Sequence, residues 1–152
     1  MEKVEFLHHL KTARQAWEQY LAHIPAEKLG LPTVPGAWAV KDVIAHITWY
    51  DQEMVDLLES RVLAGSDWWN LPLDERNRMI YDQNHERPLE EILTQNHQVF
   101  ARLWQLAQRL DDKDLNDPAR FKDMPMDWMP WDMLASNTFE HYLEHIESAR
   151  GE

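Results

Sequence analysis

The sequence predicts an all-α protein that folds as a four-helix bundle. Two observations support this class: four long segments carry apolar residues at helical spacing, and no segment has the pattern of a β-strand of useful length. Amphipathic helices bury their apolar stripes by packing against one another. The length of 152 residues fits one domain, which we expect to cover residues 1–152.

The first two helices are predicted over residues 2–23 and about 38–64. Apolar residues recur at helical spacing in both. They are Phe6, Leu10, Ala13, Trp17, Tyr20 and Leu21 in the first helix, and Val40, Val43, Ile44, Ile47, Tyr50, Met54, Leu57 and Leu58 in the second. Helix-breaking residues mark the loop between them, namely Pro25, Gly30, Pro32, Pro35 and Gly36. The second helix is predicted to end before Gly65.

Residues 66–87 are predicted to form a long crossover that includes a short helix over residues 74–84. Three polar residues of that helix share a face, and we interpret them as a solvated surface rather than a substrate site: Asn77, Tyr81 and Asn84. Pro88 at a first helical position, with glutamates directly after it, marks a third long helix over residues 88–110.

A second long connection over residues 111–129 precedes the fourth helix, which Pro130 opens and which is predicted to run to residue 150. Both connections are far longer than neighbouring antiparallel helices need. The crossover can therefore return the chain along the bundle, so that the third helix runs parallel to the second. The fourth helix then runs antiparallel to both, which gives an up-down-down-up topology.

Three histidines are the candidate functional residues. His141 and His145 lie four apart in the fourth helix, on nearly the same face, and His46 lies in the second helix. The pair alone is weak evidence, because 8 histidines in 152 residues give about 0.4 such pairs by chance. The depth of His46 in its helix, compared with the depth of the pair in the fourth helix, is stronger evidence.

His46 lies roughly 12 Å from the start of its helix, and the pair lies roughly 7 to 14 Å from the end of the fourth helix. Antiparallel neighbours would bring all three imidazoles to one level. The pattern therefore predicts one divalent ion held by His46, His141 and His145, with zinc, nickel or iron favoured over magnesium or calcium. The alternative is structural: a satisfied core histidine, and a histidine that favours a helix C-terminus.

Other residues are candidates for lining the cleft or orienting the ligands, and no catalytic residue can be assigned. The main candidates are Tyr50, Glu53, His97 and Asn137, and the same bundle end is expected to hold Tyr20, His23, Trp38 and Asn96. Asp42 and Glu53 share a side of the second helix with His46, although helix caps and surface charges are commoner roles for such carboxylates.

Composition narrows the class of function. The net charge of −12 argues against nucleic acid or an anionic membrane as a partner. The absence of cysteine excludes disulfides, cysteine nucleophiles and thiolate metal sites, so any thiol must come from outside the protein. No signal-peptide core and no apolar stretch near 18 residues occurs, and we expect a cytoplasmic protein.

Three segments together resemble the DinB-like (YfiT-like) metal-binding four-helix bundle superfamily, and most closely its ClbS/DfsB-type branch. They are AWAVKDVIAHITWYDQEM, LPLDERNRMIYDQNHERPLEEIL and NTFEHYLEHIESAR. The resemblance implies an up-down-down-up bundle, a zinc or nickel site formed by His46, His141 and His145, and a homodimer. Some members of the superfamily use a low-molecular-weight thiol such as bacillithiol or mycothiol, and the ClbS-like branch implies protection against a reactive small molecule.

The sequence thus leads to a metal-dependent enzyme, either a thiol-dependent S-transferase or a hydrolase, that acts on a reactive small molecule. The alternative is a non-catalytic bundle protein that binds a metal or a small molecule, and a structural bundle with a vestigial site is a third reading.

Overall fold

The computed structural model describes residues 1–32, 34 and 36–150. The long helices are α1 (Lys3–Ala22), α2 (Val40–Ser60), α4 (Leu89–Gln108) and the pair α6 (Pro130–Asn137) and α7 (Phe139–Arg150). The connections carry α3 (Leu73–Asn84), α5 (Asp112–Asn116) and short 3-10 turns at Ala26–Lys28, Asp67–Asn70 and Pro118–Arg120. The predicted all-α class is confirmed. Pro35, one of the predicted loop residues, lies outside the described residues.

Contacts between α2 and α4 show that these two helices run parallel. The Asn96 amide donates to the Thr48 hydroxyl at 3.0 Å, and Arg102 Nε donates to Glu59 Oε1 at 2.6 Å, so residue numbers rise together along both helices. The segment that contains α3 therefore crosses back along the bundle, as predicted.

The outer helices run the other way. The α1 residues Lys3 and Arg14 bond to Gln108 and Asn96 of α4, so numbers rise in one helix as they fall in the other. In α7, Tyr142 bonds to Asp51 of α2, and His145, almost one turn later, packs against the earlier residue His46, so numbers again rise in one helix as they fall in the other. This order gives the predicted up-down-down-up topology.

The predicted fourth helix is broken, and its continuity over residues 130–150 was wrong. Thr138 has φ −125° and ψ −99°, which is outside the helical region. Its hydroxyl donates to the carbonyl of Leu134 at 2.7 Å, the competition between side chain and backbone that bends helices. The break separates α6 from α7.

The second helix is shorter than predicted. It ends at Ser60 because Arg61 takes the left-handed conformation, with φ 59° and ψ 27°, while its N–H still donates to the Leu57 carbonyl. Residues 61–66 therefore belong to the connection. A backbone bond from the Leu63 N–H to the Lys122 carbonyl, 2.8 Å long, fastens this segment to the chain before α6.

A buried polar network crosses the apolar core. Arg14 Nη2 donates to Oδ1 of the Asn96 side chain at 2.8 Å, and the Tyr142 hydroxyl lies 2.7 and 2.6 Å from the two carboxyl oxygens of Asp51. Burial raises the pKa of Asp51 to about 7, against the opposing effects of Tyr142 and Arg14. Burial and Asp51 also raise the pKa of Tyr142.

Along the described chain, every helix is too short or too polar to cross a bilayer.

Candidate metal centre

Two helices bring the three histidines together. His46 lies in the second turn of α2, on the face that is buried against α7. His141 and His145 lie one turn apart on α7, just beyond the break at Thr138. Because α2 and α7 are antiparallel, all three imidazoles lie at one level, as their depths in the sequence predicted.

The three side chains point their Nε2 atoms at one another. His141 Nε2 lies 3.0 Å from His46 Nε2 and 3.0 Å from His145 Nε2, and one ring nitrogen from each residue falls within a 4.8 Å group. Nitrogens bound at about 2.0–2.1 Å to a tetrahedral ion are about 3.3 Å apart. The three imidazoles thus fit a single divalent ion of the kind that takes nitrogen ligands.

The surroundings keep these imidazoles neutral. Burial lowers the pKa of His46 to about 3, with further contributions from His141, His145 and Arg76. Burial and His145 lower the pKa of His141 to about 3, and burial lowers the pKa of His145. A neutral imidazole offers a lone pair to a metal, whereas a protonated one does not.

Aromatic packing holds two of the rings. The His46 ring lies 5.6 Å from Trp38 and 5.0 Å from Tyr50, and the Tyr50 ring lies 4.9 Å from that of His141. The Nδ1 atoms of His46 and His141 are buried and have no hydrogen-bonding partner among the described residues. Metal-bound histidines usually donate from that second nitrogen, so packing takes over the orienting role here.

Tyr50 connects the histidines to the crossover. Its hydroxyl donates to Asn77 Oδ1 at 2.8 Å and accepts from Arg76 Nε at 3.1 Å. Both partners lie on α3, which was predicted as a short helix but not as part of the site. The helical spacing of Asn77 singled it out in the sequence, but we interpreted its face as solvated surface. No sequence pattern singled out Arg76.

Glu53 and Asn137 lie beside a cavity rather than against the imidazoles. Glu53 Oε1 accepts from the backbone N–H of Ser66 and from Trp69 Nε1, each at 2.7 Å. Asn137 donates its amide to the Met133 carbonyl at 2.8 Å. Glu53, Trp69, Met133 and Asn137 are among the residues that line a cavity of about 910 Å³.

Three other candidates, His97, Asp42 and Asn96, do not belong to the group of three imidazoles. His97 is exposed on α4 and lies outside the group of imidazoles, and its expected place in the cleft stays a prediction. Asp42 accepts the Ala39 N–H at 2.8 Å at the start of α2 and lies 3.1 Å from His85 Nδ1, which is a capping role. Asn96 belongs to the buried network, between Arg14 and Thr48.

Two further residues of the expected bundle end are placed by local contacts. His23 is exposed, and its Nδ1 lies 2.6 Å from the carbonyl of Gln19 on its own helix. The Tyr20 ring lies 5.7 Å from that of the buried Trp17.

Comparison with known proteins identifies the family. The sequence profile of the DinB superfamily matches residues 9–149. The chain belongs to the DinB superfamily.

Solved structures share this fold. An uncharacterised protein from Escherichia coli UTI89 is 18% identical, with a TM-score of 0.74, and the alignment covers 99% of this chain and 91% of that one. A structural-genomics target protein from Streptococcus pneumoniae is 15% identical, with a TM-score of 0.77 and the same coverage of 99% and 91%. A search of curated proteins found no match. At these identities the structures show a common fold and leave the function open.

Proposed function

We propose that this DinB-superfamily protein is a metal-dependent enzyme that acts on a reactive small molecule and protects the cell against it. The convergence of three neutral imidazoles, with His141 Nε2 lying 3.0 Å from the Nε2 atoms of both His46 and His145, carries the proposal. We place the chain in the ClbS/DfsB-type branch, on the strength of the three segments that resemble it.

His46, His141 and His145 would hold the ion, and nitrogen ligands favour zinc, nickel or iron. When bound, such an ion lowers the pKa of a water or thiol and so supplies a nucleophile at neutral pH. The chain has no cysteine, so a thiol nucleophile would be an external low-molecular-weight thiol. The two reaction types, hydrolysis and S-transfer, differ only in that nucleophile.

Residues of the chain supply the rest of the site. Tyr50 packs against His46 and His141, and its hydroxyl is fixed by Asn77 and Arg76. Arg76 also contributes to the low pKa of His46, which places a positive charge near the ligands. A fixed positive charge of this kind stabilises negative charge that develops on a reacting substrate.

Metal analysis of untagged protein, purified without chelator, tests the site. We expect close to one zinc, nickel or iron per chain by mass spectrometry, and we expect His141→Ala to lose it. His97→Ala is the matched control, because His97 is exposed on α4 and should leave the metal content unchanged. A wild-type protein that carries none of these metals, and takes up none on titration, would contradict the proposal.

Activity is tested by turnover of small electrophiles, such as epoxides, with and without an added thiol. Turnover without thiol indicates a hydrolase, and turnover that requires thiol indicates an S-transferase. In either case His141→Ala should lower kcat/KM at least about a hundredfold, because loss of the ion removes the activated nucleophile. Equal turnover by the wild type and His141→Ala would rule out catalysis at this site.

A non-catalytic binding protein is the second candidate. It is favoured by the cavity of about 910 Å³ and by the Nδ1 atoms of His46 and His141, which have no hydrogen-bonding partner among the described residues, since catalytic metal ligands are usually oriented by hydrogen bonds. Metal-loaded protein that binds small molecules saturably, yet turns over no electrophile with water or any thiol, would support it.

The proposal includes a homodimer located in the cytoplasm. The dimer is supported by the family resemblance, and exposed large apolar side chains such as Met126 and Leu143 are available for an interface. Light scattering after gel filtration should give twice the chain mass of 18.1 kDa. A monomer at micromolar concentration would contradict it.

A further inference from the structure

We propose that the cavity beside the histidines is a binding site for an organic cation, a small apolar molecule that carries one ammonium-type group. This inference concerns a surface next to the metal centre and does not depend on metal binding or turnover. The cavity lies between the second half of α2, the segment 62–69 and residues of α6. Its volume of about 910 Å³ is within the range of small-molecule sites.

Much of the wall is apolar or aromatic. The side chains that provide this surface are Met54, Leu57, Leu63, Trp69, Trp128 and Met133. Indole rings bury large apolar areas and also attract cations over their faces. The Arg76 guanidinium already lies 4.7 Å from the centroid of the Trp69 ring, so Trp128 is the indole that we assign to the bound cation. Trp128 is 44% exposed, so part of its ring is available to a ligand entering from solvent.

The aromatic wall is fixed in place before any ligand arrives. Trp69 Nε1 donates to Glu53, and the Ser66 N–H donates to the same oxygen, so one carboxylate fastens the segment to α2. Gly65 has φ +63°, and a Cβ there would lie 2.8 Å from Trp69 Cδ1. The indole therefore packs directly on a backbone that only glycine fits. A preformed wall reduces the entropy cost of binding.

Among the described residues, the charged side chains that line the cavity are all acidic. Three of its lining residues are carboxylates, Glu53, Asp56 and Glu59, and none of the described lining residues is basic. Arg102 pairs with Glu59 at 2.6 Å and compensates that charge. Within the described part of the chain, Asp56 receives a hydrogen bond only from the neutral amide of Gln52, and Glu53 only from neutral N–H groups. Two negative charges thus remain beside an apolar wall.

The end of α2 adds to this negative potential. The helix ends at Ser60, which lines the cavity, and its last turn contains no basic residue. A helix C-terminus carries roughly half a negative charge from its unsatisfied carbonyls. Asp56 lies within about one turn of that end, where a carboxylate is unfavourable unless a cation is nearby. A bound cation relieves this repulsion, whereas an anion increases it.

Three ligands with one carbon skeleton test the charge preference: phenylbutylammonium, phenylbutanol and phenylbutyrate. Binding is measured by calorimetry and tryptophan fluorescence on full-length protein, both metal-free and metal-loaded. We expect the cation to bind at least about tenfold more tightly than the alcohol, and the carboxylate to bind most weakly. Added salt should weaken the binding of the cation and leave that of the alcohol unchanged, because salt screens electrostatic attraction.

Asp56→Asn keeps the shape of the side chain and removes the charge, and should weaken cation binding about three- to tenfold with no change for the alcohol. Asp74→Asn on α3 is the matched control, because Asp74 is exposed, lies outside the cavity and changes the net charge equally. Trp128→Ala should weaken both ligands. Equal weakening by Asp56→Asn and Asp74→Asn, tighter binding of the carboxylate, or no binding of any of the three ligands would overturn the proposal. Metal content is measured in the same samples, so a failure of this site is separate from a failure of the metal centre.

Discussion

Replacement of Asp51 by asparagine should remove a large pH dependence of stability. Burial raises the pKa of this carboxyl from 3.8 in the unfolded chain to about 7 in the folded protein. Between these values the folded state keeps a proton that the unfolded state has released. Stability from this group is therefore fully present below the unfolded pKa and falls as the pH rises towards 7.

The size of the effect follows from the two pKa values. Each unit of difference corresponds to about 1.4 kcal/mol, so the shift to about 7 predicts a loss near 4 kcal/mol in the free energy of unfolding between about pH 4 and pH 8. Asparagine keeps an acceptor for the Tyr142 hydroxyl and cannot ionise. The variant should therefore gain stability relative to the wild type as the pH rises.

Urea unfolding of both proteins at several pH values between 4.5 and 8 measures this difference. The protein should be metal-free, because ligand binding to the folded state would add its own pH dependence. The other titrating groups are common to both proteins, and their contributions cancel in the difference. Asp74→Asn, at an exposed position, is the matched control for the loss of one carboxyl group. A flat difference for Asp51→Asn would refute the reasoning, because it would mean that Asp51 ionises normally in the folded state.

Three further substitutions have predictable effects. Gly65→Ala should lower the free energy of unfolding by about 1–3 kcal/mol in thermal denaturation, since it combines a positive φ with a clash, whereas Gly30→Ala has open space and should change it by less than about 0.5 kcal/mol. Leu10→Ala, at a fully buried position, should cost about 2–5 kcal/mol in urea unfolding, and Val4→Ala, at a side chain that is 78% exposed, should cost little. Tyr50→Phe should cost about 1 kcal/mol and accelerate amide hydrogen exchange in α3, because the helix loses its hydrogen bonds to that hydroxyl; unchanged exchange would mean that other contacts hold α3 in place.

The long helices could be predicted from the sequence because their periodicity is local. The first was expected over residues 2–23 and runs from Lys3 to Ala22, and the third long helix was expected over residues 88–110 and runs from Leu89 to Gln108. The break at Thr138 could not be predicted. Threonine is compatible with a helix interior, and only the actual backbone shows that its hydroxyl bonds to the preceding turn.

The candidate site was likewise predictable only in part. Helical spacing and depth were sufficient for His46, His141 and His145, because both follow from the geometry of regular helices. Arg76 and Trp69 lie on the crossover, whose path is set by contacts with α2 rather than by its own sequence pattern. Glu53 was expected near the site for its position on α2, but its partner is the segment that carries Trp69, which no periodicity connects to it.

Because α2 is continuous from Val40 to Ser60, it fixes the distance between the histidine group and the acidic residues of the cavity. His46 and Asp56 are ten residues apart on one rigid rod, which sets them about 15 Å apart along its axis. A molecule that touched both the imidazoles and the acidic end would have to span roughly this distance. A shorter molecule has to occupy one place or the other. Insertion of a single residue between them would lengthen the rod by only about 1.5 Å, yet it would turn one group about 100° away from the other. The relative orientation of the two sites thus depends far more on their rotation about the helix axis than on the length of helix between them.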